Sequence, residues 1–197
     1  MPEEKSSERI PPKNLTRRAI KSHLRERLRT ATELSERDPL TGLPNQRAYE
    51  KRKTEEIERV RRTGRKATIM YLDLDKFKEI NDLLGHAGGD HQLIRAAQAL
   101  RQGVRATDFV ARAGEKGDEF KIIFPETDIR QVRAIWEERL RPATQEMGID
   151  LSAGAAELNP DKPDETERFA DLALYGAKNE PRKNGNTLMI KEPQPHG

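Results

Sequence analysis

Two groups of carboxylates are the residues of this sequence best suited to chemistry. Asp73 and Asp75 end a short apolar run, and Asp118 with Glu119 lies in a glycine-bearing link between two further apolar runs. If these runs are neighbouring strands, Asp73 and the later pair converge, and carboxylates that are close together repel one another unless a cation neutralises them. Oxygen ligands of this kind suit Mg²⁺ or Mn²⁺, which also bind nucleotide phosphates. Spacing alone nevertheless favours the plainer interpretation, in which acidic residues solubilise strand ends and turns.

The elements that must position these carboxylates follow from hydrophobic periodicity. Short runs rich in β-branched and aromatic residues predict strands at 67–72, 108–112, 120–124, 149–156 and an edge strand at 186–190. Apolar residues at helical spacing predict helices at 14–36, 46–62, 76–84, 90–102, 128–141 and 166–178. A glycine-bearing link between the second and third strands predicts a hairpin. The apolar side chains of Phe77, Leu83, Leu84 and Tyr175 are expected in the core.

This order of elements predicts an α+β fold, an α/β sandwich. Its centre is a ferredoxin-like βαββαβ core of the palm type with added helices, preceded by an N-terminal amphipathic helix. We expect a disordered tail at 1–13, a helix and linker at 14–37, one domain at 38–191 and a short tail at 192–197. The apolar stripe of the first helix is narrow, so this helix either dimerises as a short coiled coil or packs on the domain.

Charge and composition narrow the function classes. Residues 1–66 carry a net charge of +8 and residues 67–197 a net charge of −5. The basic part could meet an acidic partner, nucleic acid or an anionic membrane, but a solvated helix face is the interpretation we favour. The absence of cysteine excludes disulfides and thiolate nucleophiles. Because no apolar run approaches the ~20 residues that cross a bilayer, and no secretory signal is visible, a cytoplasmic protein is expected.

Six motifs in chain order resemble those of the GGDEF domain family, which includes the diguanylate cyclases. They cover most of the chain from residue 38 onward. The motifs are DPLTGLPNQR at 38–47, YLDLDKFKEIND at 71–82, GHAGGD at 85–90, GDEF at 117–120, SAG at 152–154 and ADLALYGAK at 170–178. The resemblance implies an enzyme that condenses two GTP molecules into cyclic di-GMP and two pyrophosphates, acting as a homodimer with Mg²⁺ or Mn²⁺.

The resemblance also implies roles for particular residues. Asp118 and Glu119 would be catalytic, with Asp118 a candidate acceptor of the 3′-hydroxyl proton. The metal ligands would be Asp73, Leu74 through its carbonyl, Asp118 and Glu119. GTP would be bound by Phe77, Lys78, Asn81, Asp90, Gly117, Lys178 and Arg182, with Asn81 and Asp90 at the guanine edge and the cations at the phosphates. Arg105 and Asp108 stand where the family has its product-inhibition site for cyclic di-GMP.

Two departures from the family pattern bear on activity. Glu115 and Lys116 interrupt the signature between Gly114 and Gly117, which enlarges the turn, and Pro181 precedes Arg182. An alternative function is therefore an inactive module that binds GTP or cyclic di-GMP as a regulatory protein. A third hypothesis is a related cyclase or polymerase that uses another nucleotide. An unidentified regulatory protein is an expected partner, whereas nucleic acid is not.

Overall fold

The computed structural model describes Ser22 and residues 36–114, 117–180 and 186–191. Contacts along the chain separate residues 1–35 from residues 36–197, and the fold described below is that of the second unit. The predicted tails at 1–13 and 192–197 lie outside the described residues. Most of the predicted helix and linker at 14–37 also lies outside them, so its proposed part in dimerisation stays a prediction.

Five strands and the helices between them make up the described domain. In chain order, they are α1 (Gln46–Thr63), β1 (Ala67–Leu74), α2 (Phe77–Gly103), β2 (Phe109–Arg112), β3 (Glu119–Pro125), α3 (Ile129–Ile135), a π-helical turn (Trp136–Leu140), α4 (Arg141–Glu146), β4 (Leu151–Glu157), α5 (Pro163–Asn179) and β5 (Thr187–Lys191). The five predicted strands and the predicted hairpin between β2 and β3 are confirmed.

The strands form one mixed sheet in the order β2-β3-β1-β4-β5. Strand β1 lies in the centre, antiparallel to β3 and to β4, and β5 adds to the edge parallel to β4. The first four strands therefore have the order of a ferredoxin-like βαββαβ core, to which α1, α5 and β5 are added. The predicted α+β fold class is confirmed.

Helices cover both faces of the sheet, which is why all eight residues of β1 are buried. Met70, Leu72 and Leu74 point to one face and join the core cluster that contains residues of α2, α3 and the π-helical turn. Ile69 and Tyr71 point to the other face and join residues of α1 and α5. By the alternation of the strand, Asp73 also lies on the α5 side.

The helix predicted at 128–141 needs correction. The segment predicted to end at residue 141 continues to Glu146, and its middle turn is π-helical. Pro142 gives a physical reason, because it lacks an N–H and would clash with the carbonyl four residues earlier in a regular α-helix. In the widened turn, the N–H of Arg141 donates to the carbonyl of Trp136 instead.

The other correction concerns side chains expected in the core. Leu83 is 82% exposed, Leu84 is 59% exposed and Tyr175 is 68% exposed, so their assignment to the core is wrong. The buried residues of α2 all lie at or after Gly89, which leaves the preceding turns outside the core. In α5, Ala173, Leu174 and Ala177 form the buried face, and helical geometry turns Tyr175 away from it. Phe77, by contrast, packs partly buried against the core.

Candidate functional site

A cluster of three carboxylates forms where β1 ends. Asp73 stands directly opposite Glu119 of β3 in the register of the sheet, and Asp118 immediately precedes that strand. One oxygen from each of Asp73, Asp118 and Glu119 lies within 4.8 Å of the others. The N–H of Leu74 donates to the carbonyl of Asp118 at 3.3 Å, which ties the hairpin link to β1. The convergence expected from the sequence is therefore present in the structure.

The electrostatics of this cluster favour a cation. Like charges directly opposite across two strands repel, and Asp73 is only 4% exposed. Burial raises the pKa of Asp73, and the hydrogen bond from Lys178 partly offsets that rise. The Lys178 ammonium lies 2.6 Å from Oδ2 of Asp73. Asp118 Oδ1 is buried and accepts no hydrogen bond from the part of the chain that the structure describes, so the donor set fits a hard divalent ion.

The helix that carries Lys178 is seated by a close approach to β4. A side chain at Gly154 would collide with the carbonyl of Ala170 and the amide of Leu174. Glycine at this position, which is the register partner of Tyr71 in β1, lets the backbone of α5 lie directly on the strand. The SAG motif therefore has a structural reason: it sets how deeply α5, and with it Lys178, sits over the sheet.

The residues expected to read guanine lie together at a kink in α2. Gly85 leaves the helical conformation with φ 70° and ψ 176°, so the helix before it turns back on the helix after it. The side chain of Asn81 then fills the space that a side chain at Gly89 would need, and the ring of Phe77 lies beside it. Asp90 follows Gly89 and is exposed. An amide and a carboxylate placed together can bond the guanine edge.

The remaining nucleotide residues differ in how far the structure places them. Lys78 lies exposed in the first turn of α2. Gly117 adopts a left-handed conformation with φ 82° just before Asp118 and Glu119. Arg182 and its preceding proline lie outside the described residues, as do Glu115 and Lys116. Their roles, and the effect of the inserted pair, stay predictions.

Arg112 is the residue of this site that the sequence did not reveal. It is the last residue of β2, and its Nε and Nη2 donate to the carbonyl of Gly117 at 2.9 and 2.7 Å. Its Nη1 donates to both oxygens of Asp38 at 3.0 Å each. Asp38 also accepts from the N–H of Thr41 at 2.8 Å and from its hydroxyl at 2.5 Å. We call residues 36–45 the leading loop.

A separate pocket of about 460 Å³ surrounds the Arg105–Asp108 pair. Asp108 Oδ2 accepts from the N–H of Arg105 at 2.8 Å, and burial raises the pKa of Asp108. Arg37 of the leading loop and Arg101 of α2 also line the pocket. Neither was singled out from the sequence, because each lies outside the local Arg-x-x-Asp pattern. Arginine guanidiniums around one carboxylate suit an anion such as a phosphodiester.

Comparison with known proteins identifies the class to which this fold and site belong. The sequence model described as "Diguanylate cyclase, GGDEF domain" matches residues 35–184. The chain is 38% identical over 172 residues to diguanylate cyclase DgcP of Pseudomonas aeruginosa, covering 82% of this chain and 24% of that protein. It is 37% identical over 164 residues to the probable diguanylate cyclase DgcC of Escherichia coli, covering 79% of this chain and 44% of that protein.

Solved structures agree with the sequence matches. The coiled coil and GGDEF domain of DgcB from Caulobacter crescentus, in complex with c-di-GMP, superposes with a TM-score of 0.78 at 27% identity, covering 88% of this chain and 95% of that one. Diguanylate cyclase SiaD of Pseudomonas aeruginosa, in complex with its activator SiaC, gives a TM-score of 0.74 at 31% identity, covering 87% of this chain and 68% of that one.

The chain therefore belongs to the GGDEF domain family of diguanylate cyclases. It spans less than half the length of either curated relative named above. Among the described residues, no helix is both long enough and apolar enough to cross a membrane.

Proposed function

We propose that this chain is a diguanylate cyclase, a nucleotidyltransferase that condenses two GTP molecules into cyclic di-GMP and two pyrophosphates. The observation that carries the proposal is the carboxylate cluster of Asp73, Asp118 and Glu119 in a chain of this family. The guanine-reading candidates Asn81 and Asp90 lie at the kink of α2, the helix that follows β1 and its Asp73. Since GTP is abundant in the cytoplasm, we place the reaction there.

The residues present fit Mg²⁺ or Mn²⁺ as the resident ion. Asp73, Asp118, Glu119 and the carbonyl of Leu74 would hold it. When bound, such an ion stabilises the charge of the triphosphate and of the leaving pyrophosphate. The buried Oδ1 of Asp118, which has no hydrogen-bond partner among the described residues, supports this assignment.

The protein's own groups perform the positioning. Asn81 and Asp90 hold the guanine, while Lys78, Lys178 and Arg182 contact the phosphates. A 3′-oxygen then attacks the α-phosphorus of the GTP on a second copy, the bond to pyrophosphate breaks, and the carboxylate of Asp118 accepts the hydroxyl proton. Because each site holds one GTP, two copies must face each other, and the active species is a homodimer. Orientation and preorganised charge supply most of the rate.

The pocket at Arg105 and Asp108 favours a second candidate function. In this alternative, the enlarged signature turn has ended catalysis, and the chain is a regulatory module that binds cyclic di-GMP in the pocket or GTP at the carboxylate cluster. The arginines that line the pocket support binding of a ligand with two phosphodiesters. A partner protein would then transmit the signal.

The decisive experiment is incubation of the purified protein with GTP and Mg²⁺ or Mn²⁺, followed by mass spectrometry of the products. The wild type is expected to form cyclic di-GMP, and Asp118→Asn is expected to form none. Asp161→Asn is the matched control, because Asp161 is a surface carboxylate whose side chain is 83% exposed. Absence of product from the wild type at high protein concentration would contradict the cyclase proposal.

Ligand binding separates the two candidates. Titration calorimetry with cyclic di-GMP should show binding that Arg105→Ala abolishes and Asp118→Asn leaves intact. Binding of cyclic di-GMP without any product formation would favour the regulatory module. Product formation without binding at the pocket would remove the proposed inhibition site while leaving the cyclase proposal standing.

A further inference from the structure

Arg112 joins two segments that are far apart in the sequence. One side of its guanidinium holds the carbonyl of Gly117 through two hydrogen bonds, and the other side holds the carboxylate of Asp38. The backbone N–H of Arg112 also donates to the carbonyl of Pro44 in the leading loop at 2.9 Å. The side chains of Arg112 and Asp38 are 17% and 16% exposed, so this contact is largely shielded from water.

The contact acts on the backbone that carries the catalytic pair. Gly117 immediately precedes Asp118, and the carbonyl of Asp118 is held in turn by the N–H of Leu74. Two consecutive carbonyls are thus fixed from opposite sides, one by Arg112 and one by β1. On the far side of the link, the N–H of Ala113 donates to the carbonyl of Glu119 at 3.1 Å. The two described ends of the turn, at Ala113 and Gly117, are therefore held by hydrogen bonds.

Only arginine can make this set of contacts. Its guanidinium is a planar fork of five donors, which can serve a carbonyl and a carboxylate at the same time. A lysine ammonium at the same place is a single point charge on a flexible stem. Asp38 is itself held in position by both the amide and the hydroxyl of Thr41, so the fork is presented with a fixed acceptor.

We infer that Arg112 is a positioning residue, which sets where Asp118 and Glu119 stand relative to Asp73. The inference rests on the proposed function in one respect, namely that the three carboxylates hold a divalent ion. Arg112 is not among the proposed metal or nucleotide ligands; it acts through the carbonyl of Gly117. The competing explanation is a structural contact that attaches the leading loop to β2 and has no effect on the cluster.

Two substitutions separate these explanations. Arg112→Lys keeps a positive charge beside Asp38 but loses the paired bonds to Gly117. Asp38→Asn removes the charge of the carboxylate but leaves the bonds between Arg112 and Gly117 in place. Arg130→Lys is the matched control, since Arg130 lies exposed on α3. All variants are compared in two ways: Mn²⁺ affinity in the presence of a GTP analogue with a non-cleavable α,β bridge, and amide exchange of the peptide covering residues 113–120.

If Arg112 positions the cluster, Arg112→Lys raises the Kd for Mn²⁺ about tenfold or more, as removal of a group that orients metal ligands does elsewhere. It also speeds amide exchange at 113–120 relative to the rest of β3. Asp38→Asn lowers the melting temperature at least as much as Arg112→Lys, yet changes the Kd for Mn²⁺ less. Mn²⁺ affinity therefore follows the bonds to Gly117 and not the overall stability.

The inference is overturned if Mn²⁺ affinity and local exchange in Arg112→Lys match the control, or if both follow the melting temperature across the set. Its failure is distinguishable from failure of the proposed function. If the wild type makes cyclic di-GMP and Arg112→Lys binds Mn²⁺ as the wild type does, only the inference about Arg112 is contradicted. If the wild type makes no product, but Mn²⁺ affinity falls in Arg112→Lys and not in Asp38→Asn, only the cyclase proposal is contradicted.

Discussion

At the scale of single residues, Lys178 and the proposed divalent cation would compete for Oδ2 of Asp73. The Lys178 ammonium already lies against Oδ2 of Asp73, in a cluster where two further carboxylates contribute negative charge. Without an ion, Lys178 supplies the positive charge that is paired with Asp73 in the described part of the domain. With nucleotide bound, its proposed partner is a phosphate, so metal and nucleotide together would move it.

This competition predicts opposite effects of Lys178→Met on two ligands. Without nucleotide, affinity for Mn²⁺ should rise at least about threefold, because a like charge beside the ligand oxygens is removed. Affinity for the GTP analogue should fall, because a phosphate contact is lost. Titration of Mn²⁺ by electron paramagnetic resonance measures the first effect and calorimetry the second. The control is Lys162→Met at the start of the same helix, and weaker Mn²⁺ binding in Lys178→Met would contradict the prediction.

Gly89 offers a second prediction at this scale. A methyl group at Gly89 would strike the side chain of Asn81, so Gly89→Ala should displace Asn81 from the guanine site. We expect the affinity for the GTP analogue to fall about tenfold or more. The double variant Asn81→Ala with Gly89→Ala should lose little beyond Asn81→Ala alone. Additive losses would show that Gly89 acts in some other way, and Ala87→Gly serves as a control in the same turn.

At the scale of elements, the leading loop depends on an ionised aspartate. Burial alone would raise the pKa of Asp38, but hydrogen bonds from Thr41 and Arg112 outweigh it, and the pKa is lowered. A carboxyl whose pKa is lower in the folded state stabilises the fold above its unfolded pKa of about 3.9. That stabilisation is lost as the pH falls through the lowered folded value.

Asp38→Asn should therefore reduce stability at neutral pH and matter much less in acid. We expect a loss of about 1.5–3 kcal/mol at pH 7, the usual size for hydrogen bonds to a charged group. Urea unfolding at pH 7 and at pH 3 measures the difference, with Asp161→Asn as the surface control. A loss of the same size at both pH values would show that the ionised form of Asp38 contributes nothing.

Much of the element order could be predicted from the sequence, and the exceptions have a common cause. Strands such as 67–72 and 120–124 are visible because a buried strand needs a continuous apolar run. The exposure of Leu83 and Tyr175 does not follow from the sequence, because residue type does not show which way a helix faces. Gly85 turns the helix that carries Leu83, and small residues such as Ala177 take the buried side of α5. The π-helical turn depends on Pro142, whose effect on the preceding turn is not apparent from hydrophobic spacing.

The residues of the candidate site also fall into those that could be predicted from the sequence and those that could not. The carboxylates could be predicted because strand ends bring them to one edge, and their motifs are local. Arg112, Arg37 and Arg101 could not, since each contributes through partners that are distant in the chain or through a pocket wall. Sheet order and the path of the loop decide which arginine contacts a carbonyl. Neither can be predicted from one local segment of the sequence.

At the scale of the whole molecule, the domain supplies only half of the proposed reaction. The described residues of each copy contain one carboxylate cluster and one proposed guanine site, whereas the proposed product joins two nucleotides. The rate per chain should therefore depend on how many copies are paired.

We predict that cyclase activity per chain rises with protein concentration over the range in which sedimentation shows dimers forming. Addition of excess Asp118→Asn should suppress the wild type, because mixed pairs then outnumber wild-type pairs. Product formation is followed by mass spectrometry, with Asp161→Asn added in the same excess as the control. Constant activity per chain at dilutions where the protein is monomeric would contradict the two-copy reaction.

The leading loop also bears on strand pairing between copies at the edge of the sheet. Strand β2 is an edge of the sheet, and the carbonyl of Pro44 takes up the N–H of Arg112 on that open side. Proline has no N–H to offer to a further strand, so the loop caps the edge at Arg112 without extending the sheet there. A fragment cut to begin after residue 45 would leave the N–H of Arg112 without this acceptor, and it should aggregate more readily through the exposed edge.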